Sequence, residues 1–261
     1  MTSQLGQITA TFNKTIKEFI RQKSVLFWTI AWPILWVLLG SFSYTANAPD
    51  FIIPSLRGAI TISMLVFALM TAGIANLPGN IASDRERGLL SKLKSMPINP
   101  WRDFIGRFLG LLAFSSIALV LVTLVGYGCG ARFSYTMITA SQSVGFILLI
   151  VFASSGIGLL IGTFIKHVHG AIMTGVGITV ISAAISGLMA PYSSLPLILQ
   201  HFSRTFPISS ANSSIIYLLA GEDFAGYNPL TITQTGLTIA LSSIIFASGV
   251  IAYSRFCWKK E

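Results

Sequence analysis

From Asp84 to Trp101 the chain reads Asp-Arg-Glu-Arg-Gly-Leu-Leu-Ser-Lys-Leu-Lys-Ser-Met-Pro-Ile-Asn-Pro-Trp, one dense run of charge in an otherwise apolar sequence. Arg85, Arg87, Lys92 and Lys94 can pair with acidic groups, while Asp84 and Glu86 can accept from basic or backbone N–H groups. Charge-assisted hydrogen bonds of this kind fix the orientation of a contact. Leu89, Leu90 and Leu93 fall at helical spacing, so Leu89 and Leu93 share a face that can anchor a short helix. The chemistry on offer is docking. An ordinary basic loop at a membrane face would need the cations alone, and the acidic members argue for something more specific.

The residues that catalysis would need are missing. No G-x-x-x-x-G-K-[ST] occurs, so ATP hydrolysis by this chain is not expected, and neither H-E-x-x-H nor G-x-S-x-G is present. His167 and His169 flank Val168 with no nearby carboxylate or Cys to complete a metal site, and they read as solvated turn residues. No carboxylate pair is expected inside a membrane span, and no buried charge of the kind that marks a proton or sodium relay. The chain itself is expected to hold no cofactor.

The elements that carry the charged run follow from composition. Hydrophobic residues make up 53% of the chain and charged residues 10%, and mean hydropathy is +0.76. Soluble domains carry about 25% charged residues, so an all-α polytopic membrane protein is expected. Six uncharged stretches each exceed the roughly 20 residues a helix needs to cross the hydrocarbon core. They predict spans near 25–43, 58–81, 104–128, 142–164, 170–190 and 230–254. A seventh uncharged stretch, 205–221, contains Pro207, Asn212 and several hydroxyl residues, and reads as too short and too polar to cross.

With six spans, Lys and Arg segregate. The N-terminus, the loops at 82–107 and 165–169 and the C-terminus hold all of them except Arg57, Arg132 and Arg204. The positive-inside rule then puts both termini in the cytoplasm. The net charge of +9 is accounted for by these inner segments facing anionic lipid and implies no nucleic acid. Cys129 and Cys257 fall on opposite faces, which excludes a disulfide within the chain. The first span lies too far in, and is too long and too rich in Trp, for a cleaved signal.

Before the first span, Leu5, Ile8, Phe12, Ile16, Phe19 and Ile20 share one helical face opposite Lys14, Lys17, Glu18 and Arg21. This is the pattern of an interfacial amphipathic helix, predicted to run into the first span without a break. Trp28, Trp32 and Trp36 stack every four residues, either as a lipid-facing stripe or as one wall of a substrate path; Pro33 weakens that helix. Asn76 bonds across to another helix or lines a wet cavity, and Pro78-Gly79 predicts a bend onto the membrane surface. Gly106 with Gly110, and Gly158 with Gly162, permit close helix approach. Ser182 and Ser186 give the fifth span a small polar face. Residues 191–226 predict an outer re-entrant region of two short helices broken near Pro207, packed on the fifth and sixth spans; one surface helix lying flat is the alternative.

Together these features resemble an ABC-2 type permease, a membrane subunit of ABC exporters with the ABCG-like, type V exporter fold. The resemblance rests on the amphipathic N-terminal helix, the six spans and Asp84-Arg85-Glu86-Arg87-Gly88 followed by Met96-Pro97 and Arg102. It also rests on Gly187-Leu188-Met189-Ala190-Pro191 before Leu195-Pro196. Asp84 and Leu89 depart from the family pattern, where Glu and Thr are commoner. The resemblance implies a single transmembrane domain over 1–261, with a connecting helix at 1–23 and a coupling helix at 84–96 carrying Asp84, Arg85, Glu86, Arg87, Gly88, Leu89, Leu90, Lys92, Leu93 and Lys94. It implies a homodimer, or a pair with a paralogue, in the cytoplasmic membrane, docked to two copies of an ATP-binding subunit that holds ATP and Mg. The first, second and fifth spans would line a cavity at the dimer interface, making Trp32, Trp36, Asn76, Ser182, Ser186 and Met189 the candidate substrate path. The expected function is export of a hydrophobic or amphipathic compound such as a drug, lipid or glycolipid. An ATP-independent channel or carrier is the alternative.

Overall fold

The computed structural model describes residues 4–46, 48–95 and 99–258. The expected Met96-Pro97 turn lies outside the described residues, as do Lys259, Lys260 and the side chain of Lys94. The described residues are helical with no strands, and six helices are long and apolar enough to cross a membrane. They are Lys23–Ser43, Ile53–Glu86, Pro100–Gly128, Met137–Phe164, Val168–Ile185 and Ile232–Cys257, called here the first to sixth spans.

The N-terminal helix, Gln4–Arg21, is amphipathic as expected. It does not continue into the first span: Gln22 has φ −87° and ψ 106°, an extended residue that breaks the helix. The break lets the helix lie against the third span instead. Gly106 and Gly110 make this possible. A Cβ at Gly106 would sit 2.6 Å from the Thr11 side chain and 2.8 Å from the Ile8 carbonyl, and one at Gly110 would sit 2.9 Å from Thr15. The small-residue face of the third span thus receives the N-terminal helix. Phe19 is fully buried and meets Phe114 with ring centroids 5.2 Å apart, while Leu5 and Ile20 are exposed.

The second span is the most buried of the six and occupies the centre of the bundle. It runs through Pro78 and Gly79 as far as Glu86, so the expected bend at Pro78-Gly79 is corrected. Proline removes one backbone donor and crowds the preceding turn. Here the helix absorbs this in a π turn at Ala72–Asn76, just ahead of Pro78. The first span does the same, with a π turn at Phe27–Ala31 ahead of Pro33. The two π turns face each other: Asn76 Nδ2 donates to Thr29 Oγ1 at 2.6 Å. The fourth and fifth spans cross the second at its π turn. A Cβ on Gly158 would lie 1.9 Å from the Gly73 carbonyl oxygen, and one on Gly175 would lie 2.3 Å from that of Ile74.

The region after the fifth span forms helices Leu197–Thr205 and Pro207–Leu219, with Phe206 extended between them, as the sequence predicted. The second of these has 13 residues, about 20 Å at 1.5 Å per residue, too short to cross a core of roughly 30 Å. Its packing differs from expectation. Pro207–Leu219 wedges mainly between the second, fourth and sixth spans, and every residue from Pro207 to Ile216 is buried. Its serines explain why a polar helix can be buried there. Ser210 Oγ lies 2.7 Å from Thr238 Oγ1, Ser209 donates to the Ser186 carbonyl at 2.5 Å, and Ser214 bonds back to the Ser210 carbonyl. The fifth-span helix ends at Ile185, so Ser186 and Met189 sit in the turn beyond it, where Gly187 takes φ +83°.

Candidate functional site

The charged run divides at Gly88. This glycine takes φ +66°, a left-handed conformation that costs other residues about 1 kcal/mol or more. It ends the second span and starts a separate short helix, Leu89–Ser95. Residues on the two sides of the break have opposite fates.

On the span side, Asp84 is fully buried and turned inward. It pairs with Lys14 of the N-terminal helix and with Arg107 of the third span. Arg107 is 1% exposed and also donates to Asp103 at 2.7 Å and to the Asn80 side-chain oxygen. Asp103 in turn accepts from Tyr253 of the sixth span at 2.5 Å and from Thr11 at 3.4 Å. Asn80 donates to Glu18, which lies 3.9 Å from Lys14 and 3.6 Å from Arg87. Two buried carboxylates are thus matched by Arg107 and Lys14, and four elements meet there. Burial raises the Glu18 carboxyl above its ordinary value, against the opposing pull of Lys14. The expectation of no carboxylate pair and no buried charge within the spans is therefore corrected. The expected spans at 58–81 and 104–128 leave out Asp84 and Asp103, but the helices run on to Glu86 and begin at Pro100, where Asn99 caps the Trp101 N–H. The spacing of Asn80 with Asp84, and of Asp103 with Arg107, was a usable signal: each pair is four apart and so shares a helix face.

Arg85 is also turned inward, donating to the Thr163 carbonyl at 3.3 Å and to Cys257 Sγ at 3.2 Å. The outward pairing expected of Asp84 and Arg85 is corrected accordingly. Glu86 is exposed but engaged, accepting the Val168 N–H at 2.9 Å. Beyond the break, Leu90 is buried at 2% exposure while Leu89 and Leu93 are half-buried, so Leu90 is the principal anchor of the short helix. Lys92 is exposed, as is Arg87 just before the break. Arg87 also borders a groove of about 470 Å³ on the polar face of the N-terminal helix, together with Lys14, Lys17, Arg21 and Glu18.

At the opposite end of the bundle lies a cavity of about 330 Å³ between the first and second spans, the turn after the fifth span and the buried helix Pro207–Leu219. Three of the six substrate-path candidates, Trp36, Ser186 and Met189, line it. The other three do not. Trp32 stacks between Trp28 and Trp36 at 5.5 and 6.1 Å, Asn76 is taken up by Thr29, and Ser182 lies on the fifth span. No group of His, Cys, Asp and Glu among the described residues has the makings of a metal site.

Residues 6–220 match the ABC-2 type transporter family. The chain belongs to that family. Two curated relatives, both named probable multidrug ABC transporter permease YbhR, come from Escherichia coli K12 and O157:H7. Each is 27% identical over 168 residues, which is 60% of this chain and 40% of the relative. The chain therefore spans less than half the length of the curated relatives it matches. Membership of the ABC-2 type transporters is in keeping with the six helices long and apolar enough to cross a membrane. In this ABC-2 chain Glu86, Arg87 and Lys92 are exposed members of the charged run, while Asp84 and Arg85 turn inward.

Proposed function

We propose that the chain is the permease subunit of an ATP-driven exporter, pairing with a second copy of itself or a paralogue and docking two ATP-binding subunits that hold ATP and Mg. Its charged end, with both termini, faces the cytoplasm, because 14 of the 17 Lys and Arg lie in the segments at that end and only Arg57, Arg132 and Arg204 lie elsewhere. The cargo is hydrophobic or amphipathic, moved out of the cytoplasm. The printed name of the relatives, multidrug permease, is in keeping with that class.

One observation carries the docking role. The Leu89–Ser95 helix is severed from the second span by Gly88, held by Leu90 and left with Lys92 exposed, close in sequence to the basic groove that Arg87 borders. A partner with an acidic rim would meet cations from two elements. Closing motions felt there reach the spans through the Lys14–Asp84–Arg107–Asp103 pairs. The alternative of an ATP-independent carrier gains nothing from the buried carboxylates, since Arg107 meets both Asp84 and Asp103.

The test is charge reversal at Arg87→Glu and Lys92→Glu in the complex with its ATP-binding subunit. Both positions are exposed, so folding changes by no more than about 0.5 kcal/mol. Substrate-stimulated ATPase activity is expected to fall at least tenfold while the purified permease keeps its melting temperature. Full coupling in the double variant would overturn the docking role.

A further inference from the structure

The cavity at the end opposite the charged core has a one-sided chemistry. Trp36, Tyr44, Tyr192 and Phe224 supply aromatic surface. Asp223, exposed at the rim, is its carboxylate, and no Lys, Arg or His is among the lining residues described. Two buried polar groups border the space with hydrogen-bonding capacity unspent. Asn212 is 2% exposed; its Nδ2 reaches Ser63 Oγ at 3.4 Å, and its Oδ1 has no partner among the described residues. Ser186 is 2% exposed, and its Oγ is likewise unpartnered although its carbonyl accepts from Ser203 and Ser209. A buried acceptor without a partner has lost its hydration with nothing in return, and a ligand that donates to it recovers that loss.

Three arginines lie at this end, Arg57, Arg132 and Arg204, and none is among the cavity's lining residues; Arg57 donates to the Ser41 and Cys129 carbonyls. Arg204 donates its Nε proton to the Tyr192 hydroxyl at 2.6 Å, and its guanidinium lies 5.6 Å from the Tyr192 ring centroid and 4.7 Å from that of Tyr227. Tyr192 also packs on the bare backbone of Gly226, where a Cβ would come within 2.7 Å of the ring. The Tyr192 wall is therefore fixed before any ligand arrives. Aromatic faces attract organic cations most strongly where water is excluded. A volume of about 330 Å³ suits a small drug-sized molecule.

We propose that this cavity binds an amphipathic organic cation with at least one N–H donor, its charge facing Asp223 and the aromatic walls and its N–H directed at Asn212 Oδ1. The proposal rests on the export reading above, for which it names the cargo class. It places the site within one protomer at the outer end of the path.

The experiment uses the full chain in phosphatidylcholine nanodiscs, with empty nanodiscs as the blank and no ATP or ATP-binding subunit present. Ethidium, an aromatic cation with amine donors, is titrated by fluorescence anisotropy, and 8-anilinonaphthalene-1-sulfonate serves as the anionic comparison. Saturable ethidium binding is expected, weakened at least tenfold by Asn212→Leu and by Asp223→Lys, with the sulfonate binding at least tenfold more weakly to the unmodified chain. Asp223 is exposed at the rim, so Asp223→Lys tests the idea even if Asn212→Leu fails to fold. Unchanged ethidium affinity in Asp223→Lys, or a sulfonate bound as tightly as ethidium, overturns the proposal. Competition by added phosphatidylethanolamine would support the same chemistry with an aminolipid as its source; its absence, with saturable ethidium binding, would support a soluble cation. Full coupling in the Arg87→Glu and Lys92→Glu double variant, with ethidium binding as expected, would defeat only the docking and export reading. Intact coupling with ethidium binding indifferent to both variants would defeat only this inference.

Discussion

Arg107 shows at the level of single residues why the charged core is a structural commitment. Its guanidinium is buried with Asp84, Asp103 and Asn80, and it spends its planar donors on two carboxylates at once. Removing one partner of a buried pair costs about 3–5 kcal/mol, mostly because the remaining charge is stranded. Arg107→Met is therefore expected to lower the thermal midpoint of the purified chain severely, whereas Arg87→Ala shifts it little, because Arg87 is exposed and its 3.6 Å pair with Glu18 is solvent-screened. Equal midpoints for the two variants would remove the distinction. Arg107→Lys keeps the charge but not the fork, so it should fall between them. Glu18 adds a pH dependence. Burial raises its carboxyl above the ordinary 4.5, so charging it costs the folded state. The contribution of Glu18 to holding the N-terminal helix is then largest at or below pH 4.5 and is lost as pH climbs through the raised value. Glu18→Gln, which cannot ionise, should remove this part of the pH dependence. Hydrogen exchange in residues 4–21 across that range, compared between the two proteins, reads it directly. An identical pH profile in both would refute it.

Helices meet here where glycine allows it, and the consequence can be tested element against element. Gly158 brings the fourth span against the backbone of the π turn in the second, while Gly145, on the same helix, has nothing within 4 Å of where a Cβ would stand. Gly158→Ala is expected to destabilise the bundle by about 1–3 kcal/mol through overpacking, and Gly145→Ala to be neutral or slightly stabilising, measured by thermal melting in detergent. A Gly158→Ala chain as stable as the original would mean the crossing is looser than described. The sequence made the pattern legible at Gly106, Gly110, Gly158 and Gly162, since small residues at that spacing permit close approach whatever the partner. It could not name the partner: Gly106 and Gly110 receive the N-terminal helix. The six spans were legible for the same kind of reason, because uncharged runs of sufficient length have few other uses. Their ends were not. Charges bounded the runs, yet Asp84 and Asp103 are balanced inside by Arg107 and Lys14 and the helices continue past them. Where a helix stops depends on local backbone devices, Gly88 at one end and the Asn99 cap with Pro100 at the other. Of the substrate-path residues, Trp36, Ser186 and Met189 converge because the fifth-span helix ends early and its turn folds over the first span, a tertiary outcome with no periodic signature.

For the molecule as a whole the proposed orientation, with the charged end in the cytoplasm, rests on the bias of Lys and Arg. Each Lys or Arg forced through the bilayer centre opposes insertion by about 2.5–3.5 kcal/mol on translocon scales, and orientation follows their bias in the loops flanking the spans. With six spans, 14 of the 17 Lys and Arg share one end with the Leu89–Ser95 helix. Met137 and Ile232 begin the fourth and sixth spans at the opposite end and are 90% and 94% exposed, so a thiol placed at either would be reachable. Cys129 is half-buried, and Cys257 is buried against Arg85, so both backgrounds are best replaced by Ala or left as controls. In intact cells, a membrane-impermeant maleimide should label Met137→Cys and Ile232→Cys. Lys92→Cys should remain unlabelled until the membrane is permeabilised, and Cys257 should stay unreactive until the protein is unfolded. Labelling of Lys92→Cys in intact cells would place the short helix outside, where no ATP-binding subunit could reach it. The docking role and the outward position of the acceptor-lined cavity would then both fail, because each depends on the same orientation.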